Sequence, residues 1–207
     1  MPLEQLPLEQ LVLASGNKGK LKELRHALQA LPIEVLSQKK FDITPVEETG
    51  LTFVENALLK ARAASRVSQL PALADDSGLV VDALRGQPGI YSSRFAGETA
   101  SDEENMQLLL EKLEGVPEER RSARFFCCVV LLRHYRDPAP IIVTGTWHGQ
   151  ILTGRQGQGG FGYDPLFFDP QLGASAAELS LAEKTRISHR GQALQALIKH
   201  LQPSPTT

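Results

Sequence analysis

Apolar positions along the chain recur in blocks whose period switches between two and about 3.6 residues. Residues 11–14 form a short apolar run with strand character. Residues 18–31 place Leu21, Leu24, Leu28 and Leu31 on one helical stripe. A second strand is expected at residues 33–36. A second helix is expected at residues 52–67, with Thr52 and Glu55 spaced as a capping box. Residues 70–74 and 79–84 read as two apolar strands separated by Asp75-Asp76-Ser77-Gly78. Ser101 and Glu104 open a third helix that runs to residue 113. Residues 124–135 and 141–151 read as long paired strands, and Ser188 caps a last helix reaching residue 201. Strands and helices interleave, so the predicted class is α/β with a mixed sheet.

The ends differ from this pattern. Residues 2–6 and 7–11 both read Pro-Leu-Glu-Gln-Leu, so residues 1–10 are taken as an N-terminal extension. Residues 202–207 are rich in Pro, Ser and Thr and are expected to be a disordered tail. That leaves residues 11–201 as a single domain.

Composition narrows the function. The chain has 207 residues, 42% of them hydrophobic, which allows a sizeable core. A net charge of −2 provides no bulk attraction to nucleic acid or membrane, so an enzyme acting on a polyanion must hold its positive charge locally. Cys127 and Cys128 are adjacent, and neighbours on a strand point to opposite faces, so a disulfide between them is not expected. Two thiols in an apolar run point to a reducing compartment. The longest apolar run, residues 125–132, falls far short of the ~20 residues of a membrane helix. The N-terminus lacks the basic start and apolar stretch of a signal peptide, and the cytoplasm is the expected location.

Five segments carry candidate chemistry. Ser15, Gly16, Asn17, Lys18, Gly19 and Lys20 follow the first strand and open the first helix. A helix start offers unpaired N–H groups and partial positive charge, which suits phosphate; an ordinary turn with solvated lysines is the alternative. Neither GxxxxGK[ST] nor GxGxxG is present. Asp75, Asp76 and Ser77 lie at a strand end, where a carboxylate would hold magnesium, or they form a polar turn. Glu47 and Glu48 would complete a metal site or lie in a solvated loop, while Asn56 and Lys60, one turn apart, would reach a phosphate or be plain surface. Residues 154–165 hold five glycines with Phe161, Gly162, Tyr163 and Asp164, a pliable loop whose aromatics would stack on a base or sit in the core. Lys184 and Arg190 add cations near the last helix start, and His189 is open as acid, base contact or structural group.

Together these segments resemble one family. SGNKGKLKE, EETGLTFVENALLKA, ADDSGL, PGIYSSRFAG, GGFGYDP, AELS..EK and SHRGQAL occur in the order found in the inosine/xanthosine triphosphate pyrophosphatases, the Ham1-like or RdgB-like housecleaning enzymes. The resemblance spans residues 11–201. It implies an elongated mixed β-sheet flanked by helices, with two lobes and a nucleotide cleft between them. It also implies a homodimer, a Mg2+ cofactor, and hydrolysis of dITP, ITP and XTP to the monophosphate and pyrophosphate. By motif, residues 15–20 hold the triphosphate, Asp76 is proton acceptor and metal ligand, and Ser77 touches substrate. Phe161, Gly162, Tyr163, Asp164, Lys184, His189 and Arg190 match nucleotide-binding positions, and Glu47, or else Glu48, matches a metal carboxylate.

The physics agrees with that assignment. An activated water and neutralisation of the leaving pyrophosphate are the two requirements, and a carboxylate with magnesium and lysines meets both. Donors such as Arg190 favour the 6-oxygen of hypoxanthine and xanthine over adenine's amino group, while rejection of guanine must rest on its 2-position. The competing readings are a Maf-like pyrophosphatase for other modified nucleotides and a non-catalytic nucleotide sensor. An ATPase or kinase is disfavoured by the missing P-loop.

Overall fold

The computed structural model describes residues 8–29 and 32–201. Most of the duplicated N-terminal segment, Leu31 and the 202–207 tail lie outside the described residues. The described chain runs β1 (Gln10–Leu13), α1 (Lys18–Leu28), β2 (Glu34–Ser37), α2 (Phe53–Ser68), β3 (Ala72–Val81) and α3 (Asp102–Lys112). It continues through β4 (Ser122–Leu132), β5 (Ile141–Ile151), β6 (Phe167–Asp169), β7 (Ala174–Ser175), α4 (Leu181–Ile187) and α5 (His189–Leu201).

Seven strands among the described residues form one sheet in the order β2-β1-β3-β4-β5-β6-β7. β1 pairs in parallel with β2, Gln10 opposite Glu34, and with β3, Val12 opposite Ala72. β6 pairs antiparallel with both β5 and β7, so the sheet is mixed, as expected.

Three readings of the sequence need correction. The two strands expected at residues 70–74 and 79–84 are one continuous strand, β3, and residues 82–84 form a short 3-10 turn. Asp, Ser and Gly favour turns, but here the segment stays extended and both carboxylates are buried. The pair β6 and β7 and the helix α4 were not foreseen, because each is too short to show a period. The strand expected at residues 124–135 begins and ends earlier, at Ser122–Leu132.

The described residues fall into two compact units. One holds the residues through Asp75, Cys128–Val143 and those from Leu194 on; the other holds Asp76–Cys127 and Thr144–Ala193. In the first, Leu11, Val12 and Leu13 of β1 are fully buried. Ala57, Ala61 and Ala64, spaced four and three residues apart on α2, give that helix a small-residue stripe that packs close to β1. In the second, Leu79, Val81, Leu109, Leu113, Phe125, Trp147 and Phe167 form one apolar cluster. Its rings lie at offset, tilted contact distances, 4.6 Å for Phe125–Phe167 and 4.9 Å for Trp147–Phe167. The Trp147 indole N–H donates to Asp169 Oδ2 at 2.7 Å, so the ring is buried with its polar handle satisfied. Cys127 and Cys128 are buried and form no disulfide. Among the described residues no helix is long and apolar enough to cross a membrane.

Candidate active site

Helix starts usually carry acids, which oppose the positive end of the dipole. α2, α3 and α4 follow that rule with Glu55, with Asp102, Glu103 and Glu104, and with Glu183. α1 and α5 break it, because neither has an acid in its first turn. They begin instead with Lys18 and Lys20, and with His189 and Arg190. Stacking cations on a positive helix end costs stability and is suited to an arriving anion.

At α1, Asn17 is the N-cap: its side chain accepts from Lys20 N at 3.0 Å, while Ser15 Oγ accepts from Asn17 N at 3.3 Å. These two bonds fix the turn over residues 15–20, with Gly16, Asn17 and Lys18 exposed. The Lys20 ammonium reaches Asp75 Oδ2 at 3.3 Å, joining the lysine-bearing turn to the acidic stretch of β3. In the same unit Glu48 pairs with Lys60 at 2.7 Å, and Glu47 is exposed. Gly50 N donates to the fully buried Asn56 at 2.8 Å. A Cβ on Gly50 would lie 2.5 Å from Glu55 Cβ, so only glycine lets the acidic loop sit this close to α2. Asn56 and Lys60 are thus engaged in holding that loop and are not plain surface.

Asp75 and Asp76 are 1% and 4% exposed, a level at which carboxylates persist only with partners. In the second unit, Ser77 Oγ accepts from Arg190 Nη2 at 2.8 Å, which brings the residue after Asp76 to the start of α5. Ser188 Oγ accepts from Gly191 N at 3.1 Å and caps that helix, as the sequence predicts. The imidazole of His189 stacks on Phe125, 4.8 Å between centroids at 14°. Among the described residues Phe161 faces two cations, Lys184 Nζ at 5.5 Å and Arg190 Cζ at 5.9 Å from its ring centre. Asp164 Oδ2 accepts both from Lys184 Nζ at 2.6 Å and from Phe161 N at 2.8 Å. This bonding pulls the loop tight around Gly160, whose φ of +77° and contact with the Asp164 carboxylate exclude a side chain. Tyr163 is buried, with its hydroxyl donating to Ser92 O at 2.8 Å. Burial first, then the charge of Asp102, pushes its phenol above the ordinary range. The structure therefore gathers Ser77, Phe161, Asp164, Lys184 and Arg190, sets the His189 ring against Phe125, and buries Tyr163 with its hydroxyl on Ser92 O.

Sequence reasoning missed Gly145, in the middle of β5. An added Cβ there would overlap the His189 carbonyl oxygen and lie 2.8 Å from Ala193 N, so this glycine seats α5 against the strand. Glycine inside a strand is the signal for such a close approach, and β5 carries two, Gly145 and Gly149.

The sequence model of the Ham1 family matches residues 11–200. The chain belongs to the Ham1 family. This Ham1-family chain is similar to the dITP/XTP pyrophosphatase of Vibrio parahaemolyticus, 53% identical over 194 residues, covering 94% of this chain and 97% of that protein. It is 56% identical over 190 residues to the dITP/XTP pyrophosphatase of Xanthomonas oryzae pv. oryzae, covering 92% and 96%. Among solved structures, a Ham1 protein from Coxiella burnetii superposes with a TM-score of 0.87 at 49% identity, covering 93% of this chain and 98% of that one. The α/β mixed-sheet fold of the Ham1-family chain is thereby established.

Proposed function

We propose that this chain hydrolyses dITP, ITP and XTP to the nucleoside monophosphate and pyrophosphate, clearing deaminated purines from the nucleotide pool. Relatives more than 50% identical over nearly the whole chain are named dITP/XTP pyrophosphatases. The geometric observation that carries the reading is the 3.3 Å contact between Lys20, on the proposed phosphate turn, and Asp75, next in the chain to the proposed base Asp76.

In this account the N–H groups and lysines over Ser15–Lys20 bind the β and γ phosphates. The Asp76 carboxylate takes a proton from a water that attacks the α phosphorus, and the bond from that phosphorus to the bridging oxygen breaks to release pyrophosphate. Lys18 and Lys20 offset the charge that develops on the leaving group. Asp76 with Glu47, or with Glu48, would hold Mg2+, which supplies Lewis-acid neutralisation of the phosphate oxygens. These donors are carboxylate oxygens, the set a hard dication takes. Among the described residues no three His, Cys, Asp or Glu side chains form a closed metal cluster. The ion would be held by one or two carboxylates, with water and substrate phosphates completing its shell.

The base end is assigned to Phe161, as a stacking face, and to Lys184, His189 and Arg190, as donors toward the 6-oxygen, with Ser77 and Asp164 aligning them. Adenine would leave such donors without an acceptor, the condition for strong discrimination. The same reading takes a homodimer as the assembly, the cytoplasm as the location, and residues 11–201 as the catalytic unit. The test is Asp76→Asn. Turnover of dITP is expected to fall about 10²–10⁴-fold, the usual contribution of a general base. Undiminished turnover would remove Asp76 from that role.

A further inference from the structure

Asp102 belongs to none of the motifs, yet it grips the glycine-rich loop. Its Oδ2 accepts a hydrogen bond from Gly162 N at 2.7 Å, across 60 residues of chain. The neighbouring Glu103 is ion-paired with Arg155, at the other end of the same loop. Gly162 has a φ of +61° and open space where a Cβ would stand, so packing does not fix its orientation. The carboxylate does. The preceding N–H, that of Phe161, is held by Asp164 at 2.8 Å. Both peptide N–H groups that flank the Phe161 side chain are therefore bonded to a carboxylate, one from within the loop and one from α3.

Asp102 is surplus to its own helix. The Ser101–Glu104 capping box is complete, and Glu103 and Glu104 already place negative charge on the first turn. An acid there that turns to the loop serves the loop.

We infer that Asp102 is a positioning residue for base recognition, holding the Phe161 ring in its stacking orientation through the Gly162 N–H. The inference rests on the function proposed above for the loop. Its consequence is a KM effect without a kcat effect, because phosphate chemistry is assigned elsewhere.

The test compares Asp102→Ala with Asp102→Asn. Asparagine keeps an acceptor oxygen and removes the charge, which separates the loop bond from the helix-dipole contribution. For dITP, Asp102→Ala is expected to raise KM about tenfold with kcat within about twofold, the loss of one charge-assisted hydrogen bond. Asp102→Asn is expected to raise KM by about threefold or less. Amide exchange at Gly162, measured without nucleotide, is expected to quicken about tenfold in the alanine variant. An unchanged KM, a kcat that falls in step with kcat/KM, or an unchanged Gly162 exchange rate would each overturn the inference. The exchange arm also separates the two readings. Should the wild-type protein fail to hydrolyse dITP, the proposed function fails, and Gly162 exchange still decides whether Asp102 holds the loop.

Discussion

Gly145→Ala adds one methyl group to β5 and puts it where the backbone of α5 already lies. The new Cβ would overlap the His189 carbonyl oxygen and stand 2.8 Å from Ala193 N, against ordinary contact beginning near 3.4 Å. Both obstacles are backbone atoms, so no side-chain rotation relieves them. The start of α5 must retreat by on the order of 1 Å, at an overpacking cost of about 1–3 kcal/mol. For a chain of this size that corresponds to a drop in Tm of about 2–12 °C. The retreat carries Arg190 with it, and its 2.8 Å bond to Ser77 would pass the limit of useful hydrogen-bond length. Losing that charge-assisted bond and shifting the base-contacting residues should lower kcat/KM for dITP about 10- to 100-fold. Thermal unfolding and steady-state kinetics on the purified variant measure both. A variant within about 1 °C and about twofold of wild type would show that α5 is not seated by Gly145, and would refute the chain of reasoning from strand to helix start to site.

Lys20→Ala is expected to weaken binding of a non-hydrolysable triphosphate about tenfold more than binding of the monophosphate, measured by calorimetry; equal losses would place Lys20 away from the β and γ phosphates. Phe161→Ala should raise KM for ITP about tenfold, the scale of one lost base–aromatic stack; an unchanged KM would confine that ring to packing. The Asp137 carboxyl tests stability instead. Burial pushes it up, but hydrogen bonds and charge from Arg133, with the Ala139 N–H, outweigh that and hold it at about 2 against an ordinary 3.8. A lowered pKa stabilises above the ordinary value and is lost as pH falls through the lowered one, so Asp137→Asn should cost about 2 kcal/mol at neutral pH. In urea unfolding, the gap to wild type should close as pH drops from about 4 to about 2; a gap that stays constant would contradict the assigned cause.

The sequence made some of this legible and hid the rest for physical reasons. β5 appears at its observed bounds, whereas β4, equally long, was displaced by two to three residues at its ends. The α1 turn was readable because Asn17, the glycines and the lysines are local signals. The Asp75–Asp76 stretch was misread because local turn preference argued against the tertiary partners that keep it extended, among them Lys20, 55 residues upstream. Arg190 on Ser77 spans 113 residues and Gly162 on Asp102 spans 60; no local pattern encodes contacts of that kind. For Tyr163 the sequence leaves a base contact and a core position both open, and the structure buries the ring with its hydroxyl on Ser92 O. Family resemblance locates the segments, and the folded structure shows which side chains hold other side chains.

The most direct measurement is the identity of the phosphate product. Purified protein with magnesium should convert dITP and XTP to the monophosphate with one pyrophosphate per turnover, and should act far more slowly on dATP and dGTP. Release of orthophosphate alone, or equal rates on all four nucleotides, would contradict the account.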